Sequence, residues 1–200
     1  KEEAIFVNGT RLPLEELLEA NTEKYTSVYA DRGKKGEPTR VSDGKGLVKC
    51  YEGAPVDKVK VYIPVFPGTN CDYDTARAFE RAGAEVDITV FKNLTGDDVL
   101  ESIKEMKEHI AECHIMMLSG GFSAGDEPDG SGKFIANVLN NKDVADAIHA
   151  LLDRGGLMLG ICNGFQALVK SGLLPYGRLG KVSKASPTLF RNDINRHISQ

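Results

Sequence analysis

Cys162 stands between two glycines in Gly160-Ile161-Cys162-Asn163-Gly164, and the chemistry open to a thiol so placed is nucleophilic attack. The apolar run Leu157-Met158-Leu159 before it reads as a buried strand, and the residues from Asn163 read as a helix. Strand, sharp turn and helix in that order are the layout of a nucleophile elbow with Cys in place of Ser. Glycines on both sides permit a strained backbone and leave space around the sulfur. A helix starting just after Cys162 aims its N-terminal N–H groups and positive dipole end at the sulfur, which suits an attacking group carrying negative charge. The competing reading is a buried structural cysteine in a glycine-flanked turn, and the order of the elements favours the reactive one.

A thiolate attacking a carbonyl creates an oxyanion, which needs about two preorganised donors near ~3 Å. The elbow supplies one, the N–H of Asn163. The second is sought in Ser119-Gly120-Gly121-Phe122 at the end of a neighbouring strand, where glycine lets a bare amide approach a substrate. Two patterns in the same loop fail their structural context. Gly121-Phe122-Ser123-Ala124-Gly125 matches the serine-hydrolase motif, but acidic residues and Pro128 follow it where a helix is needed. The run ending in Gly132-Lys133 lacks the spacing and the Ser or Thr of a phosphate loop. Asp126, Glu127 and Asp129 read as an acidic solvated loop before they read as cation ligands, and no metal site is expected. A base for Cys162 is also missing. His109 and His149 lie in helical patterns, His114 leads into a strand at its amino end, and His197 lies late with only Asp193 near it. No Glu follows Cys162.

These residues must be held by something regular. Residues 59–66 are strand-like and 67–70 form a turn. Residues 72–84 read as a helix closed by Gly83, with Ala76, Phe79 and Ala82 on one side. Residues 85–91 form the next strand. Thr95 with Asp98 is a capping-box start for a helix carrying Val99, Ile103, Met106 and Ile110 on one face. Residues 114–118 form a strand without alternation, hence buried on both faces. Helical patterns follow over 134–139 and 144–152. Strands alternating with helices imply a parallel sheet with helices on both faces. Sites in such sheets lie at the carboxyl ends of the strands, where Asn70, Gly120-Gly121 and Cys162 all fall. Residues 1–29 hold a short strand, Ala4-Ile5-Phe6-Val7, the turn Asn8-Gly9, and a helix from Pro13 with Leu14, Leu17 and Leu18 on one face. That is too little to fold alone and reads as the tail of a preceding domain or an arm. Residues 30–58 read as a linker, rich in Gly, Lys, Asp and Ser over 31–46.

Composition narrows the classes. The net charge of −4 gives no reason to expect nucleic acid or an anionic membrane as partner. No apolar run approaches ~20 residues, so no membrane span is expected. The first residues resemble neither a signal nor a transit peptide, and the missing initiator Met suggests a cut start. Four scattered cysteines with no CxxC pair suggest neither zinc nor a disulfide framework, and a reducing cytoplasm is the simplest home.

Residues 160–166, Gly-Ile-Cys-Asn-Gly-Phe-Gln, resemble the nucleophile motif of class I (triad) glutamine amidotransferases. Residues 67–72, Pro-Gly-Thr-Asn-Cys-Asp, and 120–127, Gly-Gly-Phe-Ser-Ala-Gly-Asp-Glu, narrow the resemblance to the glutaminase domains of the phosphoribosylformylglycinamidine synthase family of purine biosynthesis. Residues 1–29 are similar to the last segment of the synthetase portion in long, single-chain members. The resemblance implies a flavodoxin-like α/β fold over 59–200, incomplete at its C-terminal end. It implies that Cys162 attacks glutamine, that Gly121 and Asn163 form the oxyanion hole, and that Gly120, Phe122 and Gln166 bind substrate. The partners implied are glutamine and the synthetase portion, where ammonia is used. No cofactor is implied for this chain; ATP and Mg belong to the synthetase portion. In the family a His and a Glu two residues beyond it follow the elbow, and this chain reaches Gln200 before any such pair. The expectation is therefore a truncated domain, weakened in fold and with little glutaminase activity by itself. Residues 163–200 carry six Lys/Arg against Asp193 alone, a surface for the synthetase portion or a solvated stretch. Two alternatives stand beside this reading: a cysteine hydrolase or peptidase of related fold, and a catalytically incomplete docking module.

Overall fold

A computed structural model describes residues 3–28, 55–125 and 132–189. The chain divides into two compact units, Lys1–Cys50 and Tyr51–Gln200. In the first, β1 (Ala4–Val7) pairs antiparallel with β2 (Thr10–Pro13), and α1 (Leu14–Val28) follows. Asn8 and Gly9 both have positive φ, 49° and 80°, the pair of left-handed residues that a tight two-residue hairpin turn needs. The expected turn is therefore the tip of a hairpin, and β2 occupies residues that the apolar pattern does not mark as a strand. Leu18 on the helix is 64% exposed, and Ala4 is the only buried apolar residue described in this unit. Most of the expected linker over 30–58 lies outside the described residues.

The second unit is a parallel sheet in the order β4-β3-β5-β6, built from β3 (Lys60–Val65), β4 (Glu85–Val90), β5 (Ile115–Leu118) and β6 (Leu157–Gly160). In order of appearance within this unit that is 2-1-3-4, the start of the flavodoxin-like order. Successive strand residues point to opposite faces, and the core divides accordingly. Tyr62, Met116 and Leu118 join one cluster with Met106 and Ile110 of α3 (Gly96–Glu112) and Ile148 and Leu151 of α5 (Lys142–Asp153). Val61, Ile63 and Met117 join the other with Ala76 of α2 (Asp72–Arg81). The non-alternating run at β5 is buried on both faces as its pattern predicts: Met116, Met117 and Leu118 are all at 0% exposure.

The helix starts follow their local chemistry. The Thr95 hydroxyl accepts from the Asp98 N–H at 3.1 Å, and the Thr95 N–H donates to the Asp98 carboxylate at 2.9 Å, a complete capping box for α3. The helical patterns over 134–139 and 144–152 appear as α4 (Lys133–Leu139) and α5. One strand departs from expectation. β6 is half exposed rather than buried: Met158 packs into the larger cluster, but Leu157 and Leu159 are 53% and 44% exposed. Among the described residues no strand pairs along its outer edge, and the helix on that face, α2, packs over β3 and β4.

Candidate active site

The elbow is built by close packing on both sides of the thiol. Beyond β6 the Ile161 N–H donates to the Leu118 carbonyl at 3.1 Å, so pairing with β5 continues to the residue before Cys162. Cys162 then takes φ 51° and ψ −109°, and α6 (Asn163–Lys170) starts at the next residue. This is a conformation that side-chain-bearing residues avoid. The chain is held to it by hydrogen bonds from the Gly164 N–H to the Ile161 carbonyl, 2.9 Å, and from the Gln166 N–H to the Cys162 carbonyl, 3.0 Å. The flanking glycines have a different task from the one their type suggests. Neither has positive φ. A Cβ on Gly160 would lie 2.7 Å from the Gly164 carbonyl, and one on Gly164 would lie 2.1 Å from the Leu118 carbonyl oxygen. They let α6 press against β6 and β5, and the strain sits on Cys162 itself.

The loop after β5 is clasped to the loop after β3. The Asn70 N–H donates to the Gly120 carbonyl at 3.3 Å, and the Phe122 N–H donates to the Gly68 carbonyl at 2.8 Å, around an antiparallel bridge between Thr69 and Gly121. Both contact glycines are obligatory. Gly68 and Gly121 have φ of 93° and 143°. A Cβ on the first would meet the Phe122 carbonyl oxygen at 2.1 Å, and one on the second would meet the Gly68 carbonyl oxygen at 2.5 Å. This clasp orients one peptide. The Gly120 carbonyl faces the loop after β3, and in a planar trans peptide the N–H of Gly121 points the opposite way. That is the side of β6 and Cys162, since β5 lies between β3 and β6. Among the described residues the Gly121 N–H has no acceptor. Gly120 itself borders the thiol, because a Cβ there would stand 3.5 Å from the Cys162 Cβ.

The side chain of Asn163 joins the two halves. It is 1% exposed; its carbonyl oxygen accepts from the Ser123 N–H at 3.2 Å, and its amide donates to the Gln166 side chain at 3.3 Å. Sequence reasoning used only the backbone of Asn163. The missed signal is a short amide side chain placed directly after the turn, where it can serve both loop and helix. The structure thus brings Gly120, Gly121, Cys162, Asn163 and Gln166 to one end of the sheet. Phe122 lies on the same loop, 62% exposed.

Ser123 is 3% exposed in a short turn, too covered for an attacking hydroxyl. Gly132, with φ 78°, precedes α4 and packs against α6, a Cβ there falling 2.6 Å from the Ala167 nitrogen. Asp126, Glu127, Asp129 and His197 lie outside the described residues, among which no group of His, Cys, Asp or Glu could hold a metal ion. The three described histidines are occupied elsewhere. His109 bonds the Asp87 carboxylate and stacks on Tyr62 with centroids 5.1 Å apart. His114 Nδ1 accepts from the Lys60 N–H at 2.9 Å, and His149 Nε2 from the Leu179 N–H at 3.1 Å. Among the cysteines, burial pushes the Cys113 thiol up to about 11, whereas Cys71 and Cys162 are exposed. The arrangement can therefore present one strained, accessible thiol beside an inward-facing backbone N–H.

Residues 58–200 match the family model described as a CobB/CobQ-like glutamine amidotransferase domain. The chain is similar to the phosphoribosylformylglycinamidine synthase subunit PurQ of Dehalococcoides mccartyi, 42% identical over 120 residues that cover 60% of this chain and 43% of the relative. It is similar to the same-named subunit of Methanococcus maripaludis, 40% identical over 114 residues, 57% of this chain and 38% of the relative. Among solved structures it is similar to that titled "Structure of PurLQS from Thermotoga maritima", with a TM-score of 0.41 at 32% identity over 58% of this chain and 46% of that one. The matched stretch spans about two fifths of the length of these curated relatives.

Proposed function

This chain belongs to the CobB/CobQ-like glutamine amidotransferase family, and from that premise we propose that Cys162 is the nucleophile of a PurQ-type glutaminase. Its sulfur attacks the side-chain amide carbon of glutamine. The negative charge that develops on the amide oxygen is received by the N–H groups of Gly121 and Asn163. Donors already in place cost nothing to reorganise, and removing one in such a site costs about 2.7–4 kcal/mol of barrier. Collapse of the tetrahedral intermediate breaks the C–N bond, releases ammonia and leaves a glutamyl thioester; water then frees glutamate. Gly120, Phe122 and Gln166 hold the substrate. The proton for the leaving ammonia comes from a His oriented by a Glu, as the family resemblance implies.

The ammonia serves a synthetase portion, where ATP activates the amide oxygen of formylglycinamide ribonucleotide and ammonia displaces it to form the amidine. Residues 1–29 are the end of that portion and residues 30–58 the linker to the glutaminase domain. The similarity to subunits named for this synthase supports the assignment. The observation that carries the chemistry is the strained Cys162 elbow beside the Gly120–Gly121 peptide. Glutamine-dependent ammonia release tests it, measured on the whole enzyme that contains this domain. Cys162→Ala is expected to lower the rate by more than about a thousandfold, while the 200-residue chain by itself releases little. An unchanged rate in the variant refutes the role of Cys162.

A further inference from the structure

We propose that Cys71 is the resolving thiol of Cys162: when hydrogen peroxide oxidises the nucleophile, the two close into a disulfide across Gly120. The proposal rests on Cys162 being the reactive thiol. Cys71 follows the loop after β3 and directly precedes α2, and Cys162 follows β6. Between these two strands runs β5, which leads to Gly120. A methyl group on Gly120 would lie 3.5 Å from the Cys162 Cβ and 3.6 Å from the Cys71 sulfur. The two side chains thus border the same space, which glycine at position 120 leaves open. Both are exposed, so their χ1 angles can turn toward each other. The approach is held rather than accidental. The Cys71 thiol donates to the Asn70 side chain at 3.1 Å, and the Asn70 N–H is bonded to the Gly120 carbonyl.

The chemistry balances with one oxidant. The Cys162 thiolate attacks an oxygen of hydrogen peroxide; an S–O bond forms, the O–O bond breaks, and the departing hydroxide leaves as water. The Cys71 sulfur then attacks the sulfur of the Cys162 sulfenic acid; the S–S bond forms, the S–O bond breaks, and the hydroxide leaves as water with the Cys71 proton. Two thiols and one peroxide give one disulfide and two waters. A neighbouring thiol that intercepts the sulfenic acid prevents its further oxidation to the sulfinic acid, which thiol reductants do not reverse. Glutamine hydrolysis is switched off while the sulfur is tied up and returns on thiol exchange.

The test compares the full chain with Cys71→Ser after hydrogen peroxide treatment, by peptide mass mapping without reductant. Serine is well suited to the position before a helix, so the variant keeps its fold. The expected result is a linked Cys71–Cys162 peptide in the parent chain, two thiols lost and both recovered with dithiothreitol. Cys71→Ser should accumulate Cys162 sulfinic acid that dithiothreitol does not restore. Equal rates of sulfinic acid formation in the two proteins would overturn the proposal, as would Cys162 linked to Cys50 or Cys113 instead. If Cys162 stays reduced in both, its reading as the reactive thiol fails and the pairing falls with it.

Discussion

Cys162 holds a backbone conformation that costs about 1–3 kcal/mol for a residue with a side chain. Glycine escapes that cost. Cys162→Gly should be more stable than Cys162→Ala by about 1 kcal/mol, read as a higher urea midpoint at unchanged slope. The elbow at Cys162 was legible from residue types alone, because a glycine-flanked turn between an apolar strand and a helical pattern leaves few other backbone paths. The roles of its neighbours were less legible. Gly160 and Gly164 looked like sources of backbone freedom, yet what they provide is room for two carbonyl groups. Sequence cannot separate these uses, since both require the absence of a Cβ.

At the scale of elements, two changes on opposite sides of the site separate folding from chemistry. Thr95→Ala removes the capping box of α3 and should cost about 1 kcal/mol without altering the reactivity of Cys162. Gly164→Ala drives a methyl group into the Leu118 carbonyl; it should cost at least about 2 kcal/mol and slow alkylation of Cys162 as the elbow is pushed off β5. Denaturation curves paired with alkylation rates check both. The parallel sheet and its helices follow from the apolar pattern, an unbroken apolar run in β5 and a helical period in α3. The hairpin of β1 and β2 does not, because Thr10-Arg11-Leu12-Pro13 has no clear alternation and only Asn8-Gly9 marks the turn. The exposed face of β6 was also hidden, because Leu157-Met158-Leu159 has the same apolar composition whether one face or both are covered.

The second unit as a whole carries a pH signature. Burial raises the Cys113 thiol to about 11 in the fold, against about 8.5 in an unfolded chain. The native state therefore keeps a proton that the unfolded state releases. This contribution to stability is complete below about pH 8.5 and is lost as pH rises toward about 11. The Tyr62 phenol, raised by burial, acts in the same direction at higher pH. Cys113→Ala should be less stable than the parent at pH 7 yet lose less stability between pH 7 and pH 10, measured by chemical denaturation. Among the described residues the three histidines are bonded elsewhere, so none of them is placed as a base for Cys162. The proposed role of Cys162 can nevertheless be tested without turnover. The most direct measurement is the rate at which a glutamine-mimicking electrophile labels each cysteine of the 200-residue chain, with and without L-glutamine. A reactive Cys162 in a glutamine site predicts labelling there well ahead of Cys50, Cys71 and Cys113, and slowed by glutamine. Equal, sluggish labelling of all four, indifferent to glutamine, would contradict it.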